Sequence, residues 1–591
     1  MTSENKIFNL PDKILLRIIQ LLPQQTKVNV AETNYKLYKL VQKSLYANIL
    51  FTERSILNSS KNFQDGLWTV VGGMKNPLVT SKSNLEMIKM RQDVLLQSLS
   101  LNKELCGYVK RVMINPTTVI DTFAEGLPGE KDNEEEEEEF LEERKEPPRF
   151  SMNKNLLDFI KRNCTNLEQI FSIGEKPYTE VTLSLKDISN LPKLKRLDIA
   201  DFQYLTHIVD TQITHLVVNP TVSSNNEISI SDDAFSKAVK NLQLLQFNDY
   251  RTQSIFLNHF LKIWNPKEML SLKSAKIIYY HGFNDNDIGN QNLVLDFLRV
   301  LNPSSFKNLE IVIGCDHMAC NCLADLIKEL SETGGLRLRK LAVKQLTVHR
   351  DHNYSEKFDY YLSEFLIKSP SRLSLRFLSI SYDVPGDFNI GNSVKGNGIQ
   401  GNFLKRKRLF EDTIQKVANL ETLVMPHFLE NAACYEQVMS DLLWNGCKCD
   451  HCKSYLSIFD YYVMHHQYYD GLEGYMTDMI TPVLFGSAGK TLFRRLINDL
   501  DLSFLEYPQL DTYWDFHTGN GITHFDDDTD SEDCQFNESC FKPLTKCLAH
   551  FYMNYVNTYG EAIPSLKRVI MNGEFFERKL GKTDEWICAY D

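Results

Sequence analysis

A chain of 591 residues, 43% hydrophobic and 11% aromatic, has length for about four ordinary domains and enough apolar side chains to exclude a mainly disordered protein. No apolar run approaches the roughly 18 residues of a membrane helix, Met1 to Lys6 carry no secretory h-region, and 13 cysteines, an odd number, make no disulfide framework; membrane insertion and secretion are not expected, and the chain reads as cytoplasmic, nuclear or both. The formal net charge is −12, and without a long basic stripe the chain is not expected to bind nucleic acid.

The first predicted element is a helix. Pro11 suits a helix start and Asp12 favours the positive end of the helix dipole. Ile14, Leu15, Ile18, Leu21 and Leu22 recur at three- and four-residue spacing until Pro23. Val28, Val30, Ala31, Tyr35, Leu37, Tyr38, Val41, Leu45 and Ile49 carry further helical turns. Residues 1–50 thus read as an all-α module whose core is too small to satisfy its apolar residues, and the surplus asks for a partner surface.

This module resembles the F-box. The likeness rests on Leu10-Pro11-Asp12, Ile14-Leu15, Ile18, Leu21-Leu22-Pro23, the Tyr35/Leu37/Leu40-Val41 stretch and the closing Leu45-Tyr46 pair. In that family the helices dock on a Skp-type adaptor, which joins a cullin-RING ubiquitin ligase. The resemblance implies adaptor contacts by Leu10, Pro11, Ile14, Leu15, Ile18 and Leu22. The chain as a whole is similar to fungal F-box proteins with divergent leucine-rich repeats.

Residues 51–105 read as a helical linker, with Leu85, Ile88, Leu95, Leu96 and Leu99 on one amphipathic helix; the resemblance makes it a spacer between ligase and substrate. Beyond it, through 106–591, a short motif recurs: apolar, two others, apolar, one other, apolar. It appears at Val109/Val112/Ile114, Leu194/Leu197/Ile199, Ile213/Leu216/Val218, Leu242/Leu245/Phe247, Leu338/Leu341/Val343, Leu375/Leu378/Ile380, Leu420/Leu423/Met425 and Leu566/Val569/Met571, with weaker copies near Leu167, Ser274 and Leu309. The last two positions have strand spacing, and predicted helices at Leu404 to Val417 and Leu544 to Val556 precede two copies. From Leu194 to Leu420 the starts lie 19, 29, 32, 35, 29, 37 and 45 residues apart. Helix, turn and short strand in repetition is the logic of leucine-rich repeats. The expected fold class is α/β: a small N-terminal all-α F-box module followed by an irregular leucine-rich-repeat-like solenoid. An unrelated α/β domain with similar buried strands would give the same pattern.

Three insertions interrupt this domain: an acidic loop at 129–149, a Gly/Asn-rich loop at 384–402 and a Cys-containing insertion at 426–545. From Glu130 to Glu146 there are eleven acids and three bases, net −8, and Asp526 to Asp533 is net −6; together they exceed the whole charge, leaving about +2 for the rest. Lys405-Arg406-Lys407-Arg408 reads either as a nuclear-localisation cluster or as the solvated face of a helix carrying Leu404, Leu409, Phe410 and Ile414.

The sharpest chemical feature is Cys447-Lys448-Cys449-Asp450-His451-Cys452. Thiolate and imidazole suit a tetrahedral zinc ion, so Cys447, Cys449 and Cys452 with one of His451, His465 or His466 are candidate ligands, His451 preferred. Cys315, Cys320 and Cys322 with His317 form a second, weaker cluster. Both sets could equally be reduced thiols buried as small hydrophobes. No cofactor is required by this reading; a zinc ion would be structural. The aromatic run Tyr461 to Tyr469 reads as a buried helix or an interface patch.

No complete phosphate loop, Gly-x-Ser-x-Gly elbow or His-Glu-x-x-His is present, and Gly486 to Thr491 lacks the first glycine of a phosphate loop. The expected function is therefore non-catalytic: a substrate receptor of an SCF-type ubiquitin ligase, with the adaptor and cullin at one end and a protein substrate on the repeats. The rivals are an adaptor-bound regulator outside any ligase, in a trafficking, organelle or chromosome role, and a metal-stabilised scaffold.

Overall fold

The computed structural model describes residues 10–20, 22, 24–52, 68–72, 81–115, 152–172, 183–208, 211–220, 228, 230–265, 267–281, 288–315, 321–332, 336–345, 352–382, 403–404, 406–425, 441–456, 538–571, 574–579 and 585–588. The chain divides into two compact units: Met1–Thr118 with Asp132–Asn219 and Phe493–Gln509, and Val119–Lys131 with Pro220–Leu492 and Leu510–Asp591. Each mixes helices and strands, as an α/β class requires.

The first unit begins with α1 (Asp12–Gln20), α2 (Gln24–Ala31) and α3 (Tyr35–Ala47). Pro11 stands just before α1, and its carbonyl accepts the N–H groups of Ile14 and Leu15. Asn34 caps α3: its backbone is extended and its side chain accepts the Lys36 N–H at 2.8 Å, an arrangement worth about 1 kcal/mol. Lys36 reaches back to Asp12 at 3.1 Å. Leu15 and Ile19 from α1 meet Leu37, Leu40 and Val41 from α3 in one small core, with Leu10, Val30, Ala31 and Leu45 packed against it.

Strand β1 (Asn48–Thr52) follows α3 with no connecting loop. It lies between β2 (Thr69–Val71) and β3 (Arg111–Asn115), and β3 pairs onward with β4 (Gln169–Ser172), all parallel. The expected helical linker therefore contains strand as well as helix. Its helix is α4 (Ser81–Leu101), which buries Ile88 and Leu99. Ile49-Leu50-Phe51 is buried throughout, and so short an apolar run cannot be told from helix by periodicity. After α5 (Lys103–Cys106), α6 (Lys154–Asn163) and α7 (Leu185–Asn190) come β5 (Arg196–Ile199) and β6 (His215–Val218), another parallel pair.

The second unit alternates α8 (Asp232–Lys240), β7 (Leu244–Phe247), α9 (Tyr250–Ile263), β8 (Ser274–His281), α10 (Ile288–Val300), β9 (Asn308–Cys315), α11 (Cys322–Glu332), β10 (Lys340–Gln345), α12 (His352–Lys368), β11 (Phe377–Tyr382) and β12 (Thr422–Val424). Then come α13 (Glu538–Ala562), β13 (Arg568–Met571), β14 (Glu574–Arg578) and β15 (Trp586–Cys588). Strands β7 to β13 pair in chain order and in parallel, and β14 and β15 close the series antiparallel. Leu245, Ala275, Leu309, Leu341, Leu378, Leu423 and Val569 are successive register partners, none more than 1% exposed.

The strand entries share a hydrogen-bonding device. The carbonyls of Gln243, Lys273, Lys307, Arg339, Arg376 and Glu421 each accept two successive N–H groups from the next strand entry, ending at Lys567 and Arg568. In the first unit, Lys110, Glu168 and Lys195 do the same. Register moves two expected motif starts. Leu272 and Phe306, both fully buried, occupy the first apolar position, three residues before Ala275 and Leu309, in place of Ser274 and Leu309. Ala275 is too small to stand out in an apolar pattern, so the copy was read out of phase.

The predicted helix from Leu404 to Val417 is instead a π-helical turn, Arg408–Thr413, running into a 3-10 turn, Ile414–Lys416. Thr413 donates its hydroxyl to the carbonyl of Arg408, five residues back, at 2.8 Å. This side-chain bond favours the wide turn over α geometry, and Leu409, Phe410, Ile414 and Val417 remain fully buried. Both acidic stretches, the Gly/Asn-rich loop, Tyr461 to Tyr469 and Gly486 to Thr491 lie outside the described residues. No described helix is long and apolar enough to cross a membrane.

Candidate functional site

The N-terminal module sorts the six expected adaptor contacts by face. Residues four apart on a helix share a side, and α1 puts Leu15 and Ile19 inward and Ile14 and Ile18 outward. Ile14 is 48% exposed and Ile18 45%, whereas Leu15 is 2% exposed. Pro11 is exposed, and Leu10 and Leu22 are half-buried. Leu15 is thus a core residue of the module, which counts against its expected contact with an adaptor. Tyr35, Tyr38 and Val28 also face outward. The two tyrosine rings stack at 6.3 Å, and the Lys39 ammonium lies 6.0 Å from the Tyr35 ring centre. Val28 and Tyr38 read only as helical turns and Tyr35 also as part of the F-box likeness, but the inward set Leu37, Leu40, Val41 and Ser44 leaves both tyrosines on the other side.

The module is fastened to α5 by charge. Lys39 on α3 bonds Glu104 at 3.0 Å, and the Tyr108 hydroxyl donates to the same carboxylate. The Tyr108 bond first, then Lys39, holds the Glu104 carboxyl below its ordinary 4.5.

On the strands of the second unit, the row next to the core row reads Gln246, Lys276, Glu310, Ala342 and Ser379. Lys276 lies 3.7 Å from Glu310 and bonds Asn248 at 3.2 Å. The basic tetrad is committed to neighbours where it is described: Arg406 forms a two-pronged pair with Asp359, Lys407 meets Glu411 at 3.4 Å, and Arg408 meets Glu364 at 3.1 Å and covers the Tyr360 ring at 4.3 Å.

The second site is a cluster of sulfur and imidazole. The Asp441–Asn445 π-helical turn ends at Gly446, whose N–H bonds the Leu442 carbonyl at 3.1 Å. A Cβ at Gly446 would lie 2.1 Å from that carbonyl oxygen, so only glycine delivers the chain to Cys447 in this direction. A helical segment follows at 450–456, burying Cys452 and Leu456 on one side. The partner is α13, which buries Cys547, Leu548, Phe551, Tyr552, Val556 and Tyr559 and turns His550 toward the cysteines. His550 Nδ1 lies 3.6 Å from Cys449 Sγ and 3.3 Å from Cys452 Sγ, and Cys447 Sγ accepts the Cys449 N–H at 3.5 Å. The ligand atoms of Cys447, Cys449, Cys452 and His550 all lie within 4.8 Å of one another.

The structure therefore brings the three expected cysteines together but fills the histidine position from elsewhere. His451 is not in the group; its ring lies parallel to Tyr455 at 6.4 Å. Successive helical residues point about 100° apart; the His451 ring lies 6.2 Å from that of His550, beside the group and not in it. His465 and His466 lie outside the described residues. His550 follows Cys452 by 98 residues; the one local signal was Cys547-Leu548-Ala549-His550, two ligand types at a spacing that shares a helix face. Burial pushes the Cys547 thiol up to about 11. Cys449 is brought down to about 6, chiefly by the Cys452 N–H donating to its sulfur. Cys315 and Cys322 are buried at the end of β9 and the start of α11 and join no candidate metal group among the described residues.

No family model matches the chain. It is 29% identical over 586 residues to a Saccharomyces cerevisiae protein described as "Non-SCF-type F-box protein ROY1", covering 94% of each chain. The likeness to a fungal F-box protein thus extends over nearly the whole length, far beyond the first fifty residues.

Proposed function

We propose that this chain is a non-catalytic F-box protein that binds a Skp-type adaptor through α1 and works outside a ubiquitin ligase, holding a second protein on its strand array. The observation that carries the adaptor reading is the half-exposure of Ile14 and Ile18 on a helix whose other side forms the module core. Large aliphatic side chains left open four residues apart are what a helix-in-groove or helix-bundle partner covers. The relative's description as non-SCF-type favours the regulator over the ligase receptor. The in-register carbonyl device and the buried leucine row support reading the strand array as divergent leucine-rich repeats, in which each unit buries its apolar face on the next.

A tagged pull-down from cells tests this, comparing wild type with Ile14→Asp/Ile18→Asp and probing for adaptor and cullin. Adaptor without cullin in the wild type, lost in the variant, is the expected result. Recovery of adaptor and cullin together makes the chain a ligase receptor, and absence of adaptor from folded wild type removes the F-box function.

A further inference from the structure

The structure assigns a structural zinc ion to Cys447, Cys449, Cys452 and His550, a site that ties α13 to the 441–456 segment. Four lines of geometry and chemistry carry it. The donor set is three thiols and an imidazole with no carboxylate, which selects zinc and disfavours calcium or magnesium. Tetrahedral zinc, with bonds of about 2.3 Å to sulfur and about 2.0 Å to nitrogen, places a ligand sulfur and nitrogen about 3.5 Å apart. His550 Nδ1 stands 3.6 and 3.3 Å from two of the sulfurs. All four ligand atoms fall within 4.8 Å of one another, close enough to share one ion.

Exposure separates two of these cysteines from the other described thiols. Cys106, Cys164, Cys315, Cys322 and Cys588 are buried, as small hydrophobes should be, but Cys449 is exposed and Cys447 half-buried. Packing does not explain two accessible thiols turned toward a buried one and a histidine. The sequence supplies Cys-x-Cys-x-x-Cys from one segment and the histidine from a helix 98 residues beyond Cys452. Cys547, one helical turn before His550, is the rival fourth ligand; it lies outside the convergent group.

Four protein ligands leave no open position, so the site is closed and structural. Each thiol releases its proton to solvent as the ion binds, and metal binding becomes part of the folding free energy of this region. The ion would hold α13 against the 441–456 segment, while 457–537 lies between them in sequence.

The test uses the full chain purified under reducing conditions. Elemental analysis is expected to find a single zinc ion per chain, lost in Cys449→Ser, whose exposed position spares the fold as read by far-UV circular dichroism. Cobalt(II) in exchange for zinc is expected to give tetrahedral ligand-field bands with thiolate charge transfer, altered by His550→Ala and unchanged by Cys547→Ser. Wild type that carries no zinc and gives no tetrahedral cobalt spectrum overturns the site. So does a disulfide among Cys447, Cys449 and Cys452 on non-reducing peptide mapping. A spectrum that Cys547→Ser abolishes and His550→Ala leaves intact overturns the assignment of the fourth ligand.

Discussion

Replacing Ile14 and Ile18 together by alanine separates binding from folding in the N-terminal module. Burying a whole isoleucine side chain gains about 1.5–3 kcal/mol. With Ile14 48% and Ile18 45% exposed, about half of that gain is still open in each, or about 0.7–1.5 kcal/mol apiece. The double change then costs about 1.5–3 kcal/mol of adaptor affinity, a roughly 10- to 150-fold rise in Kd. Titration calorimetry of purified adaptor into the full chain measures it, with thermal melting of the free chain as the control. Because the module core is built from Leu15, Ile19, Leu37, Leu40 and Val41, melting should scarcely move. A wild-type chain that binds adaptor and a double variant within twofold of it would show that the partner does not cover α1, and the reasoning from exposure would fail.

Leu15→Ala inverts that signature: removing a core side chain of a small module should cost about 2–5 kcal/mol of local stability, seen as faster amide exchange across α1 and α3; unchanged protection would contradict its core placement. Asp359→Ala removes the two-pronged carboxylate partner of the part-buried Arg406 and should cost about 3–5 kcal/mol in denaturant unfolding, with a smaller loss in Asp359→Ala/Arg406→Met; equal losses would show that the charge is not the cause. Gly446→Ala pushes a Cβ into the Leu442 carbonyl and should lower Tm, whereas an unchanged Tm would mean the turn can shift without cost. The Glu104 carboxyl is held below 4.5 by Tyr108 and Lys39. Its contribution is therefore present above about pH 4.5 and lost as pH falls through the lowered folded value. Melting of Glu104→Gln should lie below wild type near neutral pH and converge with it in acid; parallel curves would refute the coupling.

Particular residues show what sequence could reveal. α1 was legible because Ile14, Leu15 and Ile18 repeat at helical spacing. The spacing says that these residues are helical, not which side faces the core; the resemblance alone made Leu15 an adaptor contact, while packing puts it in the module core. The strand array was legible wherever large apolar side chains fill the three positions, and it slipped at Ala275, where a small residue breaks the pattern that register restores. β1 was missed because Ile49-Leu50-Phe51 is buried throughout and continues a helical run without a break. The cysteines of the second site announced themselves by spacing. His550 did not, since α13 carries it to them from far along the chain, while the adjacent His451, whose ring lies 6.2 Å from that of His550, stays outside the ligand group.

The carbonyl that links one strand entry to the next also sets a timetable. Most steps in the second unit join neighbours a few tens of residues apart, but Glu421 waits for Lys567, 146 residues later. At about 5–20 residues per second, the interval between their synthesis is about 7–30 s. For that time β12 has no following strand, and an apolar parallel edge stands open to any chain that can pair with it. The nascent protein is therefore most exposed to mispairing after β12 and before β13, and slowing translation between them should raise aggregation more than slowing it anywhere among β7 to β12.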